Sequence, residues 1–221
     1  MSITEDSYLY FGNLGKTEPQ YGIPNWIGLC LNPRYEREML HDLNNPLPVP
    51  DGSVKKIQAQ DVMEHIPKER VPSLFDEIYR ALRVGGIFRL SVPDYRSPLL
   101  KARSIYNHKG DVIADLMMGG KAEYDAEKAV LKPMYTTDGY AHLWFPTYEQ
   151  ILHLILQSEI RKCSDITFHH YFVDDETAVT NAFPENEMFV FRCPPRDMRA
   201  GGKPISIIVD FTNPSYSREG A

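Results

Sequence analysis

Apolar positions along the chain fall into short blocks. Residues 8–11 (YLYF) and 26–31 (WIGLCL) are continuous aromatic and aliphatic runs, closed by Gly12 and by Asn32-Pro33. That composition between turn residues predicts two buried strands. The dozen residues between them hold Pro19, Gly22 and Pro24 and lack helical periodicity, so a loop or a single turn is expected there. Residues 39–43 and 54–59 are further strand candidates. The NNPLPVPDGS stretch between them stays outside the sheet, because Pro46, Pro48 and Pro50 cannot donate to a ladder.

A different period comes next. Val71, Leu74, Phe75, Ile78, Tyr79 and Leu82 recur at helical spacing, and Gly85-Gly86 offers a left-handed stop before a strand at 87–92 that ends on Pro93-Asp94. A second helix is expected from Thr147, whose hydroxyl can cap the amide of Gln150 in a T-x-x-Q box, through Ile151, Leu152, Ile155 and Leu156. Between 97 and 135 the pattern is weaker, with one or two helices suggested by Leu99, Leu100 and Ile105 and by Val112, Ile113, Leu116 and Met117. Strands are expected at 166–172, 188–192 and 205–211. The order predicts an α/β fold with a mainly parallel sheet, crossover helices and an antiparallel ending.

Composition narrows the class. At 221 residues, 43% hydrophobic and 24% charged, the chain suits one globular domain, with or without an appendage. No apolar run reaches the roughly 20 residues of a membrane span, and the start, MSITEDSYLYFG, is acidic where a signal peptide is basic. A cytoplasmic location without membrane association is the expectation. The net charge of −6 argues against general nucleic-acid binding. Cys30, Cys163 and Cys193 are odd in number and lack C-x-x-C spacing, so buried thiols are expected in place of disulfides or a zinc knuckle. No metal site is expected either: neighbours such as His169 and His170 face opposite sides of a strand.

Several motifs run in order through the middle of the chain: Asp42, Leu47-Pro48, Asp51-Gly52-Ser53, Met63-Glu64-His65 and Leu82-Arg83-Val84-Gly85-Gly86, with GYAHLWFPTYEQILHLILQSEI further on. This succession resembles the class I (Rossmann-fold) methyltransferases dependent on S-adenosylmethionine (SAM), and the likeness runs roughly over 8–194. The resemblance implies a Rossmann-like α/β fold, with a mainly parallel seven-stranded sheet, helices on both faces and an antiparallel ending. It implies a domain over 1–198 with a lid or substrate insertion at 97–146, and leaves 199–221 as a C-terminal extension with one extra strand. That strand could lie at a sheet edge or pair with another chain as a homodimer. The implied cofactor is SAM, and the implied reaction is methyl transfer to a small molecule or glycan.

Cofactor contacts are then expected from Gly12, Asn13 and Gly15 after the first strand, Cys30 and Asn32 at the second, Asp42 and Leu43 at the third, and Gln60 and Asp61 at the fourth. A carboxylate at the carboxyl end of a parallel strand sits on the ligand-binding rim and can accept from an exocyclic amine. Asp42 is the candidate for that, or else caps the turn before Asn44-Asn45. Two departures stand out. The family's Gly-x-Gly turn is here Gly12-Asn13-Leu14-Gly15, and Cys30 stands where an acid grips the ribose. They motivate a second reading, a non-catalytic methyltransferase-like binding module that has lost or changed its cofactor. An NAD-linked dehydrogenase is a poor reading, because G-x-G-x-x-G is absent and no acid closes the second strand. Candidate catalytic groups are His142, His65 and Asp94, which could accept a proton or orient an acceptor. Tyr135, Tyr140, Trp144 and Tyr148 are candidate acceptor-site aromatics.

Overall fold

The computed structural model describes residues 3–4, 6–118, 121–125, 130–134, 141–174, 176–192 and 204–214. Cys193, Tyr135 and Tyr140 lie outside them. In chain order the elements are β1 (Tyr8–Phe11), β2 (Trp26–Cys30), β3 (Glu38–Leu40), β4 (Val54–Gln60), α1 (Val71–Ala81), β5 (Leu82–Pro93), α2 (Pro98–Lys101), β6 (Ser104–Tyr106), β7 (Val112–Asp115), β8 (Lys121–Asp125), β9 (Val130–Met134), α3 (Tyr148–Leu156), β10 (Asp165–Phe172), β11 (Ala178–Thr180) and β12 (Ser206–Thr212). The main sheet runs β11-β10-β12-β5-β4-β1-β2-β3. Strands β1 to β5 are mutually parallel where they pair, while β12 is antiparallel to both β5 and β10. The sheet thus has eight strands instead of the seven expected, because β11 pairs with β10 at the edge.

One face carries the main core. Alternate residues Leu9, Phe11, Ile57, Ala59, Phe88, Leu90, Val209 and Phe211 meet Leu74, Phe75 and Ile78 of α1 and Ile151, Leu154 and Ile155 of α3. Thr147 caps α3 as its sequence predicts, accepting from the Gln150 amide at 3.4 Å. Helices were expected on both faces, but among the described residues the second face is covered by a single turn, Pro19–Gly22, and by the irregular 181–192 segment. The link from β1 to β2 is too short and too rich in turn residues to hold a crossover helix.

Three further expectations change. Residues 188–192 form no strand, because side chains take their neighbourhood's carbonyls: Gln20 and Gln58 donate to Phe189 O, and Arg89 donates to Pro184, Glu185 and Met188 O. Residues 97–118 hold one helical turn, α2, and then the β6–β7 hairpin in place of longer helices. Turn chemistry outweighs weak spacing there, since Asn107 Oδ1 accepts from the amides of Lys109 and Asp111, and Gly110 supplies φ +85°. Finally, β12 lies inside the sheet and is paired on both sides, so the strand of the 199–221 segment neither caps an edge nor offers one to a second chain. Its alternation fits that position: Phe211 stacks on Phe88 at 5.4 Å in the main core, while Asp210 faces Arg89 on the other side.

Candidate functional site

Strand order reverses direction between β1 and β4, and in open α/β sheets the crevice beyond the carboxyl ends at such a point is where ligands bind. Two left-handed turns line it, Gly12 at φ +94° and Asp61 at +52°. A Cβ at Gly12 would come within 3.1 Å of Val62 Cγ2, so the turn favours glycine both for its positive φ and for its close packing against Val62. Leu14 does not obstruct it: fully buried, it packs with Tyr10, Trp26 and Met188 on the second face. Gly15 lends its carbonyl to Glu18 N in the following turn. Asn13 Nδ2 donates to Cys30 Sγ (3.3 Å) and Asn32 O (3.0 Å), tying the ends of β1 and β2 together. Burial first, and Glu38 second, push the Cys30 thiol up to about 11, so it stays protonated.

The rest of the rim is differently engaged. Asp42 Oδ1 accepts from the backbone and side-chain nitrogens of Asn44, each at 2.9 Å, so the turn-capping role is realised. Leu43 packs against the main core. Gln60 Oε1 accepts from Phe191 N, and Asp61 pairs with Arg192 at 2.9 Å, so the 181–192 segment closes over the end of β4. For SAM the fit is therefore divided. The left-handed Gly12 turn after β1 suits a nucleotide-binding strand end, whereas a thiol already used by Asn13 cannot replace the carboxylate that would hold a ribose diol.

Beside this crevice the fold gathers groups distant in sequence. The 63–66 turn is strapped to 141–144: Leu143 N donates to Glu64 O, and Trp144 Nε1 donates to Met63 O and Ile66 O. This brings His65 and His142 together, their rings edge to face at 4.9 Å, with Glu64 between them. His142 Nδ1 bonds the Tyr95 hydroxyl at 2.6 Å, and that hydroxyl donates to Asp115 Oδ2, which Arg103 also holds. Burial, then the neighbouring His65, lower His142 to about 3, and burial lowers His65 as well. A general base works best with a pKa near the ambient pH, so His142 is poorly set up as one. The sequence pattern singled out both histidines but not Glu64, Tyr95, Asp115 or Arg103. The one available signal for Glu64 was its place between Met63 and His65 in the VMEHI stretch, which does not by itself distinguish a buried carboxylate from an exposed one.

Asp94 stands apart. Wholly buried at the end of β5, it accepts from Phe172 N (2.7 Å) and Arg96 N (3.0 Å), joining β5 to β10 instead of facing an acceptor. Burial raises its carboxyl from 3.8 to about 6. A folded-state pKa above the unfolded one means that the fold binds the proton more tightly, so this contribution to stability is full below about pH 4 and is lost as pH rises to about 6. The rise corresponds to about 3 kcal/mol. Urea titrations at pH 4.5 and 7 should show the stability difference between wild type and Asp94→Asn shifting toward the variant at the higher pH. A difference independent of pH would refute this assignment.

A cleft of about 560 Å³ opens next to the cluster, between the β6–β7 hairpin and the start of α3, with Tyr95, Tyr106, Trp144 and Phe145 among its walls. No helix among the described residues is long and apolar enough to cross a membrane.

Comparison with solved structures finds the same fold. A SAM-dependent methyltransferase of Methanosarcina mazei superposes with a TM-score of 0.50 at 11% identity, over 97% of this chain and 95% of that one. One from Thermotoga maritima is 15% identical, over 93% and 81% of the two chains, with a TM-score of 0.49. One from Mesorhizobium loti is 14% identical over 96% and 94%, with a TM-score of 0.46. No curated protein matches the sequence. The fold is that of the class I SAM-dependent methyltransferases. Residues 31–90, from the end of β2 into β5, match the family model described as "Methyltransferase domain", and that match points to SAM as the cofactor.

Proposed function

We propose that the chain transfers a methyl group from SAM to a small molecule or glycan. The observation that carries this reading is the left-handed Gly12 turn at the β1–β4 switch point of a methyltransferase-like sheet, in a fold that also carries an aromatic cleft. Gly12, Asn13 and Gly15 would hold the cofactor's amino-acid end, Asn32, Asp42 and Leu43 its nucleoside, and Gln60 and Asp61 the rim between. SAM, when bound, supplies an electrophilic methyl carried on a sulfonium. What the chain adds is proximity and alignment, which intramolecular reactions show to be worth about 7–11 kcal/mol of barrier. The cleft has the size of a small-molecule site, and Tyr106, 40% exposed, offers a face on which a sugar or aromatic ring can stack.

The second reading, a binding module without catalysis, draws on Cys30 in place of the ribose acid and on Phe191 and Arg192 occupying Gln60 and Asp61. Calorimetric titration with SAM and S-adenosylhomocysteine separates the two. The enzyme reading expects saturable heat with both, and Asp42→Ala should weaken binding by about 1–3 kcal/mol, as for a buried polar group left unpaired. No heat and no thermal shift at millimolar ligand would leave the binding module.

A further inference from the structure

We propose that Glu64, His65 and His142 form a site for one divalent transition-metal ion of the zinc class, bound through a Glu64 carboxylate oxygen and the Nε2 atoms of both histidines. One ligand atom from each lies within 4.8 Å of the others. Glu64 is fully buried, and neither of its oxygens has a hydrogen-bond donor among the described residues. Its Oε1 stands 3.9 Å from His65 Nε2 and 3.8 Å from His142 Nε2. Those gaps are too long for hydrogen bonds, which rarely exceed about 3.2 Å. They are close to what an ion requires: ligands each 2.0–2.2 Å from a tetrahedral centre stand roughly 3.3–3.6 Å apart. Small side-chain rotations close the difference.

The surroundings of the two imidazoles fit the same role. His65 Nδ1 meets Ala141 O at 2.9 Å, so that nitrogen carries the proton and Nε2 presents its lone pair. The Tyr95 hydroxyl gives its proton to Asp115 and therefore accepts from His142 Nδ1, which again leaves Nε2 as the free acceptor. Asp115 is fixed in turn by Arg103 Nε at 2.8 Å and by Met117 N at 2.8 Å. Metal-ligating histidines are held in this way by carbonyl or carboxylate partners on the far nitrogen. Two imidazoles and a carboxylate suit zinc, iron or cobalt better than magnesium or calcium. Three protein ligands leave a coordination position for an outside molecule, and the His65 side chain, 20% exposed, marks the accessible edge.

The test is independent of methyl transfer. The full chain is stripped with a chelator, dialysed, and titrated with Zn²⁺ and separately with Co²⁺. One equivalent of each is expected, and Co²⁺ should give a visible ligand-field absorption. Glu64→Gln and His142→Ala should remove both signals, while His153→Ala, at an exposed position on α3, should leave them unchanged. Tyr95→Phe keeps the ring and deletes the hydroxyl that orients His142. It should weaken binding about 10- to 100-fold with circular dichroism unaltered, and it serves as the deciding variant where either ligand variant fails to fold. Failure of the folded wild-type chain to bind either ion, or binding that Glu64→Gln, His142→Ala and Tyr95→Phe leave intact, would overturn the assignment.

Discussion

Replacing Asp210 with alanine is expected to cost about 3–5 kcal/mol of stability, the scale set by removing one partner of a buried ion pair. Arg89 is wholly buried, and its Nε and Nη2 donate to the two Asp210 oxygens at 2.7 and 2.6 Å. Its remaining donors reach Glu185 O, Met188 O and Pro184 O, and the guanidinium lies 4.7 Å over the Phe183 ring. Burial alone would push the Asp210 carboxyl up, but bonds from Arg89 and His169 outweigh it and leave the group below its ordinary range. Removing that carboxylate strands a guanidinium inside the protein, and the segment it fastens should loosen with it. Chemical denaturation would measure the first effect, and amide exchange across 181–192 the second. The pair Arg89→Met with Asp210→Leu tests the cause, since it removes both charges and should recover much of the loss, although three carbonyls then lack their donor. A single-variant loss under 1 kcal/mol would mean that the ion pair does not hold this face.

The second face is also where the sequence was least legible. Strands β1, β2, β4 and β5, together with α1 and α3, were readable because their apolar periods stand out, most of them beside a local signal such as Gly12, Asn32-Pro33 or the T-x-x-Q box. The paired glycines do not stop α1 as expected: the helix ends at Ala81 with Leu82 already extended, and Gly85-Gly86 lie within β5. Gly86 meets a local and a distant constraint together, since a Cβ there would sit 2.8 Å from Arg83 O and 2.9 Å from Val54 O on β4. The 181–192 segment has no such code. Its path is set by Gln20, Gln58 and Arg89, side chains roughly 90 to 170 positions away, and its strand-like composition at 188–192 misleads because those side chains, and not a neighbouring strand, use its carbonyls. The metal-ligand cluster escaped notice for the same reason. Glu64 and His65 are adjacent in sequence but their third partner is 77 positions on, and ligand spacing is a reliable signal only when ligands share one turn or helix. The place of β12 was lost differently: its apolar alternation announced a strand, whereas its pairing partners depend on topology that no local pattern encodes.

Trp144→Ala should also cost about 3–5 kcal/mol, the range for truncating a buried aromatic. The indole is 5% exposed, and its single N–H lies 3.0 Å from Met63 O and 3.1 Å from Ile66 O, the two ends of the turn that carries Glu64 and His65. The Leu143 amide adds a 2.7 Å bond to Glu64 O from the same strap. Trp144→Phe separates the contributions: it keeps most of the ring and removes only the donor, so about 1–3 kcal/mol is expected for the carbonyls left without it. Both variants also alter a wall of the cleft beside the site. Thermal and urea unfolding would rank them, and a titration with SAM would show whether the crevice survives when the strap is weakened. Were alanine and phenylalanine to cost the same, the N–H would carry the whole effect; were neither to exceed 1 kcal/mol, Trp144 would not be what holds the two segments together. Because the turn borrows its rigidity from a residue about 80 positions away, the Ala variant should disturb the site more than its distance from the β1–β4 crevice suggests.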